Sequence, residues 1–269
     1  MITTLSGRLA TRLGLAAYPK QQRACVRVAH EAGVNFFFFY SLGQQSVIDG
    51  LTPVLRRSRE DVIVATGSGS RSRKGLERVR RAICRRLSVD VLDVFFAEYV
   101  DPFEHAPRVF DDDGVLDLLC EWRESGAIRF VGASAHDRKL ARRLVDDGRI
   151  DVLMHRYNMA HRKAAASVFP AAAAAGIPIV AFTATRWRTL LEGHSKWPGP
   201  VPTAADCYRY CLTAPAVQVV LSAPRTTTQL RANLTALESE SSELASTDWD
   251  AYGDLVYADG RGKFDTRWP

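Results

Sequence analysis

The chain has 269 residues, 46% of them hydrophobic and 25% charged, with a net charge of +6, which is the ordinary balance of a soluble globular protein with length for one large α/β domain or two small ones. No apolar run approaches the ~20 residues of a transmembrane helix, and the N-terminal residues lack the charged-then-apolar order of a signal peptide. A membrane span and secretion are thereby set aside, and a cytoplasmic protein is expected.

Residues 13–18 form a short apolar run that Pro19 stops, which reads as strand one. Residues 21–32 fit a helix with Ala24, Val28 and Ala29 on one face, and Gly33 stands where a left-handed C-cap residue is wanted. The run from Val34 to Tyr40 is too short for a globular helix and rich in aromatics. It reads as a fully buried strand of a parallel sheet over 34–39, ending in the loop Ser41-Leu42-Gly43. A helix over 46–57 leads to strand three at 61–66 and a flexible polar loop, Gly67-Ser68-Gly69-Ser70. Arginine is dense from Arg71 to Arg86. A polyanion-binding face is one reading. The favoured one is a solvated amphipathic helix with Leu76, Val79, Ile83 and Leu87 as its buried stripe, because no aromatics are interleaved and no nucleic-acid motif is present.

Strand four covers 91–97. Asp111, Asp112 and Asp113 can cap and charge the start of the next helix, which ends near Ser125 and Gly126. Strand five is 128–133, followed by a helix over 138–147 that Gly148 closes. Strand six is 151–157, followed by an alanine-rich helix over 164–175 that Gly176 stops. Strand seven is 177–182, and residues 186–201 form a long polar loop containing Trp and Pro. A helix over 204–212, strand eight at 217–221 and helices over 228–237 and 247–256 complete the chain. The cysteines Cys25, Cys84, Cys120, Cys207 and Cys211 are odd in number and spread out, as reduced thiols rather than a disulfide framework. Cys207 and Cys211 share a helix face at i,i+4, but no His pair lies nearby in sequence and no metal is expected.

Eight continuous apolar strands alternating with helices argue a parallel (β/α)8 barrel, one domain over 1–269. A doubly wound open sheet would want a Gly-x-Gly-x-x-Gly turn after an early strand; the first strand ends in Ala17-Tyr18-Pro19 instead. In such a barrel the residues just past each strand's C-terminal end face the active site. The loop at 41–43 should therefore carry chemistry, yet what surrounds it is mostly hydrophobic.

Along nearly its whole length the pattern resembles the aldo-keto reductase family. Residues 32–37 (Ala-Gly-Val-Asn-Phe-Phe) are similar to that family's second strand, and 92–96 (Leu-Asp-Val-Phe-Phe) to its fourth. Residues 126–134 (Gly-Ala-Ile-Arg-Phe-Val-Gly-Ala-Ser) are similar to its Gly-Lys-Ile-Arg segment. Residues 151–158, ending in Tyr157-Asn158 and followed by Val168-Phe169-Pro170, resemble the branch with a Tyr-Asn pair there. Residues 220–233 resemble the segment that holds the adenosine end of NADP(H).

The resemblance implies an NADP(H)-dependent oxidoreductase and a tetrad of Asp, Tyr, Lys and His, in which a cation tunes the tyrosine as proton donor. Phe38 falls at the Asp position, Leu42 at the Tyr position in a loop about one residue short, Gly67 at the Lys position and Glu98 at the His position. All four differ, so the ordinary carbonyl-reductase mechanism is not expected. The resemblance keeps more of the cofactor side. Ser134 matches the serine on the nicotinamide amide, although Ala135 follows in place of Asn. Phe182 stands where an aromatic ring stacks on the nicotinamide. Arg225 and Thr226 match the 2′-phosphate contacts, which suit a guanidinium, and Gln229 and Asn233 match the adenosine contacts. Ala223 replaces a Gly beside the pyrophosphate, and its methyl narrows the backbone approach and weakens binding.

Glu98, at a strand end in apolar surroundings, is the first candidate acid; an ion pair with a nearby arginine is the alternative. A Glu there resembles the family's steroid double-bond reductases, which keep their Tyr. Tyr40 could supply a phenol or turn into the helix–sheet layer, and Tyr99 is a weaker third candidate. His136, His155 and Trp187 are candidate substrate contacts, the last in the loop with Arg186 and Arg188 where a lid would lie. His155 faces either the mouth or the outer layer. Three functions follow. The favoured one is an atypical NADP(H)-linked oxidoreductase acting on a small, apolar carbonyl or conjugated double bond, with Glu98 or Tyr40 as donor. The others are a redox-silent lyase, dehydratase or isomerase using Glu98, and a non-catalytic scaffold. A small-molecule substrate is the expected partner, with no nucleic acid and no membrane; a partner protein or a second copy stays open.

Overall fold

Each apolar run becomes a strand: β1 (Leu13–Ala16), β2 (Phe36–Phe38), β3 (Ile63–Ser68), β4 (Leu92–Val100), β5 (Ile128–Ala135), β6 (Val152–Arg156), β7 (Ile179–Phe182) and β8 (Val217–Ser222). A computed structural model describes residues 1–100, 106–238 and 247–260; the rest of the span expected as one domain lies outside the described residues. Every strand runs parallel to the next, and β8 pairs back with β1 to close the barrel. The helices are α1 (Ala24–Glu31), α2 (Gln45–Ser58), α3 (Arg73–Leu87), α4 (Ala106–Phe110), α5 (Val115–Glu124), α6 (Arg138–Asp147), α7 (Ala164–Ser167), α8 (Phe169–Ala174), α9 (Ala204–Leu212), α10 (Thr227–Leu234) and α11 (Trp249–Ala258). None is long and apolar enough to cross a membrane.

Alternation sorts each strand into two faces. Phe36, Phe38, Ile63, Ala65, Val94, Phe96, Val152 and Met154 fill the barrel interior, where the Phe38 and Phe96 rings meet edge to face at 5.9 Å. Phe37, Phe39, Val64, Phe95, Val131 and Leu153 pack outward beneath the helices. Strand two is shorter than its apolar run because only three residues pair. Gly33 takes φ +88° after α1 and its N–H closes on the His30 carbonyl at 2.9 Å, the left-handed cap expected there. The α3 stripe is buried as expected, with Val79 packed against the outer core.

Three local expectations fail. Gly67 and Ser68, expected in a polar loop, extend β3 and are buried, because they pair with Phe96 and Ala97 of β4. The helix over 164–175 is two helices, α7 and α8, because Pro170 brings no N–H and stands at the start of the second. The aspartates 111–113 do not cap α5. Gly114 is its N-cap, Asp113 takes φ +58°, and the first-turn acid is Asp117, which accepts from the Asp113 N–H at 2.9 Å.

The floor was not foreseen. Thr3 and Leu9 form an antiparallel bridge, and Ile2 is buried in the interior core. Arg129 donates to the carbonyls of Thr3 at 2.6 Å and Thr4 at 3.0 Å. It also pairs with Asp93 at 2.9 Å, and Arg59 meets the same carboxylate at 2.9 Å. Asp93 is 0% exposed. This closed end leaves the strands' C-terminal ends as the open mouth.

Candidate functional site

Strand parity places Phe38, Gly67, Glu98, Ser134, Arg156 and Phe182 on the inner side at the mouth, Phe38 as the top of the interior core and the others at or just beyond it. Gly67 and Glu98 are fitted to one another. A Cβ at Gly67 would lie 2.4 Å from the Phe96 carbonyl oxygen, 2.7 Å from Glu98 Cγ and 2.8 Å from Oε1. The absent side chain is what admits the carboxyl. Glu98 Oε1 is buried with no hydrogen-bond partner among the described residues. Burial pushes this carboxyl up to about 8, against the opposing pull of the Arg71 charge. Glu98 is therefore mostly a neutral acid at pH 7. Arg71 itself donates to the main-chain carbonyls of Glu98 at 2.6 Å and Tyr99 at 3.0 Å.

Tyr99 takes φ +51° and its N–H donates to Ser134 Oγ at 2.7 Å. Its ring lies 5.3 Å from that of His136, which in turn lies 4.9 Å from that of Phe182. Burial first, then the Arg156 charge, lowers His136 to about 3, so its ring is neutral.

A groove of about 620 Å³ opens beside this cluster. Phe38, Tyr40, Phe182, Trp187, Arg225, Gln229 and Asn233 all line it, so candidates far apart in sequence share one wall. Tyr40 is 52% exposed and Trp187 44%. Gln229 Oε1 accepts from the Arg225 N–H at 2.8 Å, and Asn233 Nδ2 donates to Ser222 Oγ at 2.9 Å. Thr226 caps α10, its hydroxyl accepting from the Gln229 N–H at 3.2 Å. The groove's lining includes neither Glu98 nor Ser134. Leu42 turns away from it and packs, half-buried, against the outer core.

The loop after β7 is held from beneath. Arg186, 1% exposed, donates to the Val256 carbonyl at 2.6 Å; it is an anchor and no part of the groove wall. Arg186, Trp187 and Arg188 all have positive φ, strain of the kind that gathers where side chains must be aimed. Here it aims Trp187 and Arg188 into the groove.

His155 lies on the outer parity of β6, and its Nδ1 donates to the Ala135 carbonyl at 2.7 Å, which fixes the tautomer. Burial lowers it to about 4. The sequence reading passed over its neighbour Arg156, on the inner parity and 4% exposed. A charged residue two places after Met154 on a buried strand was the available signal. His136, His155 and Arg156 border a second, smaller cavity. No group of three or more His, Cys, Asp or Glu side chains among the described residues could hold a metal ion.

Residues 11–196 match the Aldo/keto reductase family. Among solved structures, the holo form of an aldo-keto reductase from Bacillus halodurans aligns with a TM-score of 0.70 at 18% identity, over 91% of each chain. Its apo form aligns with a TM-score of 0.67, also at 18% identity, over 92% of this chain and 90% of that one. A Pseudomonas aeruginosa protein given the aldo-keto reductase name aligns at 0.66 and 16% identity, over 87% of this chain and 91% of that one. No curated protein matches. At such identities the structural likeness speaks for the fold, while the match over residues 11–196 settles the lineage: the chain belongs to the aldo/keto reductase family.

Proposed function

We propose that this chain is an atypical NADP(H)-linked oxidoreductase that works without the Asp, Tyr, Lys and His tetrad. The observation that carries the reading is the single groove shared by Phe182, Arg225, Gln229 and Asn233, the residues matched to cofactor contacts. They fit the group. Phe182 is half-exposed at a strand end, and Arg225 stands exposed beside the start of α10 with its backbone held by Gln229. Bound there, NADPH would supply hydride to a carbonyl or polarised double bond. The chain's part is to bind and to protonate. Arg225 would pair with the 2′-phosphate and Phe182 would flank the nicotinamide, while the neutral Glu98 carboxyl would give its proton to the substrate atom that gains charge, with the exposed Tyr40 phenol as second donor. On this reading Phe38 and Gly67 are matched to the Asp and Lys positions; Phe38 packs against Phe96, and the space above Gly67 is taken by Glu98, which supports a mechanism without an ammonium-tuned tyrosine.

Calorimetric titration with NADPH, NADH and NADP⁺ tests this. Saturable binding that prefers the 2′-phosphate is expected, and no binding of any of the three would overturn it. The family match ends at residue 196, before Arg225, so the cofactor segment needs this direct measurement. One observation favours a second reading: Glu98 lies outside the groove's lining. Cofactor-free acid–base chemistry, as in an isomerase or dehydratase, would use Glu98 in the same neutral state.

A further inference from the structure

Strand β4 carries a bulge where it reaches the mouth. Its register with β5 runs from Ala97 opposite Ala133 to Val100 opposite Ala135, so Glu98 and Tyr99 together face the single residue Ser134. The extra residue resets the alternation beyond it. Val100 turns outward into the core beneath the helices, where an unbroken strand would bring it inward on the same side as Phe96 and Glu98.

A bulge leaves ladder groups without strand partners, and here two side chains take them. Ser134 Oγ accepts from the Tyr99 N–H at 2.7 Å. Arg71 Nη2 donates to the carbonyls of Glu98 at 2.6 Å and Tyr99 at 3.0 Å. One guanidinium nitrogen therefore spans both bulged residues, across a backbone at φ +51° for Tyr99 that an L residue adopts only at a cost. The segment that carries Arg71 is itself set by alternate serines. Ser68 Oγ accepts from the Ser70 N–H at 3.1 Å, Ser70 Oγ from the Ser72 N–H at 3.4 Å, and Ser72 Oγ from the Gly75 N–H at 3.2 Å in the first turn of α3.

The Glu98 carboxyl fills the space above Gly67, and its direction there is set by the backbone at 98 and 99. Among the described residues Arg71 is the one charge that acts on this carboxyl. Gly67 on β3 and Ser134 on β5 bring none, and His136, just past β5, is neutral because burial lowers it to about 3.

We propose that Arg71 and Ser134 are positioning residues, which together lock the Glu98–Tyr99 bulge and so hold the Glu98 carboxyl inward at the mouth. Arg71 acts on Glu98 through its main chain, and Ser134 acts through the Tyr99 N–H. The lock stands on the bulge alone; that the acid it holds protonates a substrate rests on the function proposed above.

The test is a carboxyl NMR titration of Glu98 in the full chain, without cofactor or substrate, in R71Q and S134A. The Arg71 charge pulls this carboxyl down, so a variant that lost only a charge would titrate higher. Loss of the lock lets the carboxyl swing into water, and because burial is the larger influence on it the titration falls. A fall of the Glu98 pKa by about 1 or more is expected in both variants. A rise or no change in R71Q would overturn the proposal. S134A alters no charge and decides the matter where R71Q disturbs folding: an unmoved Glu98 there would overturn it as well. Full activity in E98Q would remove Glu98 from the reaction and leave this result untouched, because the titration reads the carboxyl itself.

Discussion

The Glu98 carboxyl occupies the space above Gly67 that any side chain at 67 would take, with Glu98 Cγ 2.7 Å from a Cβ built there. Gly67→Ala should therefore push Glu98 out of its pocket, since the Phe96 carbonyl at 2.4 Å is backbone and cannot yield. The expected outcome is a Glu98 pKa that falls back toward the usual carboxylate range, read by carboxyl NMR. An unchanged titration would mean that the pocket does not depend on the missing side chain.

Glu98 also sets a sign for stability against pH. Its carboxyl is held near 8 in the fold, against 4.5 as the ordinary value, so the native state keeps a proton that the unfolded chain releases. Its contribution is full below about pH 4.5 and is lost as pH rises through 8. Urea melts of Glu98→Gln should show a flatter profile from about pH 5 to 8.5 than the parent, a relative gain on the order of 2–3 kcal/mol at the alkaline end. Parallel profiles would show that Glu98 is ionised in the fold.

Turnover should follow the same proton. With Glu98 as acid, the rate falls above about pH 8, and Glu98→Gln lowers kcat by about 10²-fold or more while leaving NADPH affinity in place. Full activity in Glu98→Gln would take the proton transfer away from Glu98.

Arg225→Ala should weaken NADPH binding by about 1–3 kcal/mol and NADH binding little, because only the former brings a 2′-phosphate to the guanidinium. Calorimetry on both cofactors checks this. Equal losses, or none, would reject the placement of the 2′-phosphate.

At the closed end, Asp93→Asn should cost about 3–5 kcal/mol, since it strips one shared carboxylate from Arg59 and Arg129 and leaves two guanidinium groups uncompensated. A shift of the urea midpoint with no change of slope is expected. A near-neutral result would mean that the carbonyls of Thr3 and Thr4 suffice to hold Arg129.

The strands were legible because β-strands buried on both faces need unbroken apolar runs, and Phe36 to Phe39 or Ile179 to Phe182 can do little else. The α7–α8 break was legible in Pro170 and was not used. The floor was hidden because so short a hairpin has no periodicity, and its lock joins Thr3 to Arg129 and Asp93 across a long stretch of sequence. At the mouth, Phe182, Trp187 and Arg225 could be named separately, yet only closure of the barrel puts them on one groove. Arg156 escaped because His155 drew attention on chemical grounds, although counting parity from Met154 turns His155 outward and Arg156 in. Leu42 was placed by loop alignment, and a loop one residue short carries its side chain to the other face.

The Phe38–Phe96 and Gly67–Glu98 contacts also restrict how this mouth could change over time. An aspartate at 38 would set a carboxylate against the Phe96 ring, and any side chain at 67, a lysine included, would strike the Phe96 backbone carbonyl and crowd the Glu98 carboxyl. A substitution at either position therefore disturbs a neighbour as well: the Phe96 ring at 38, the Glu98 carboxyl at 67.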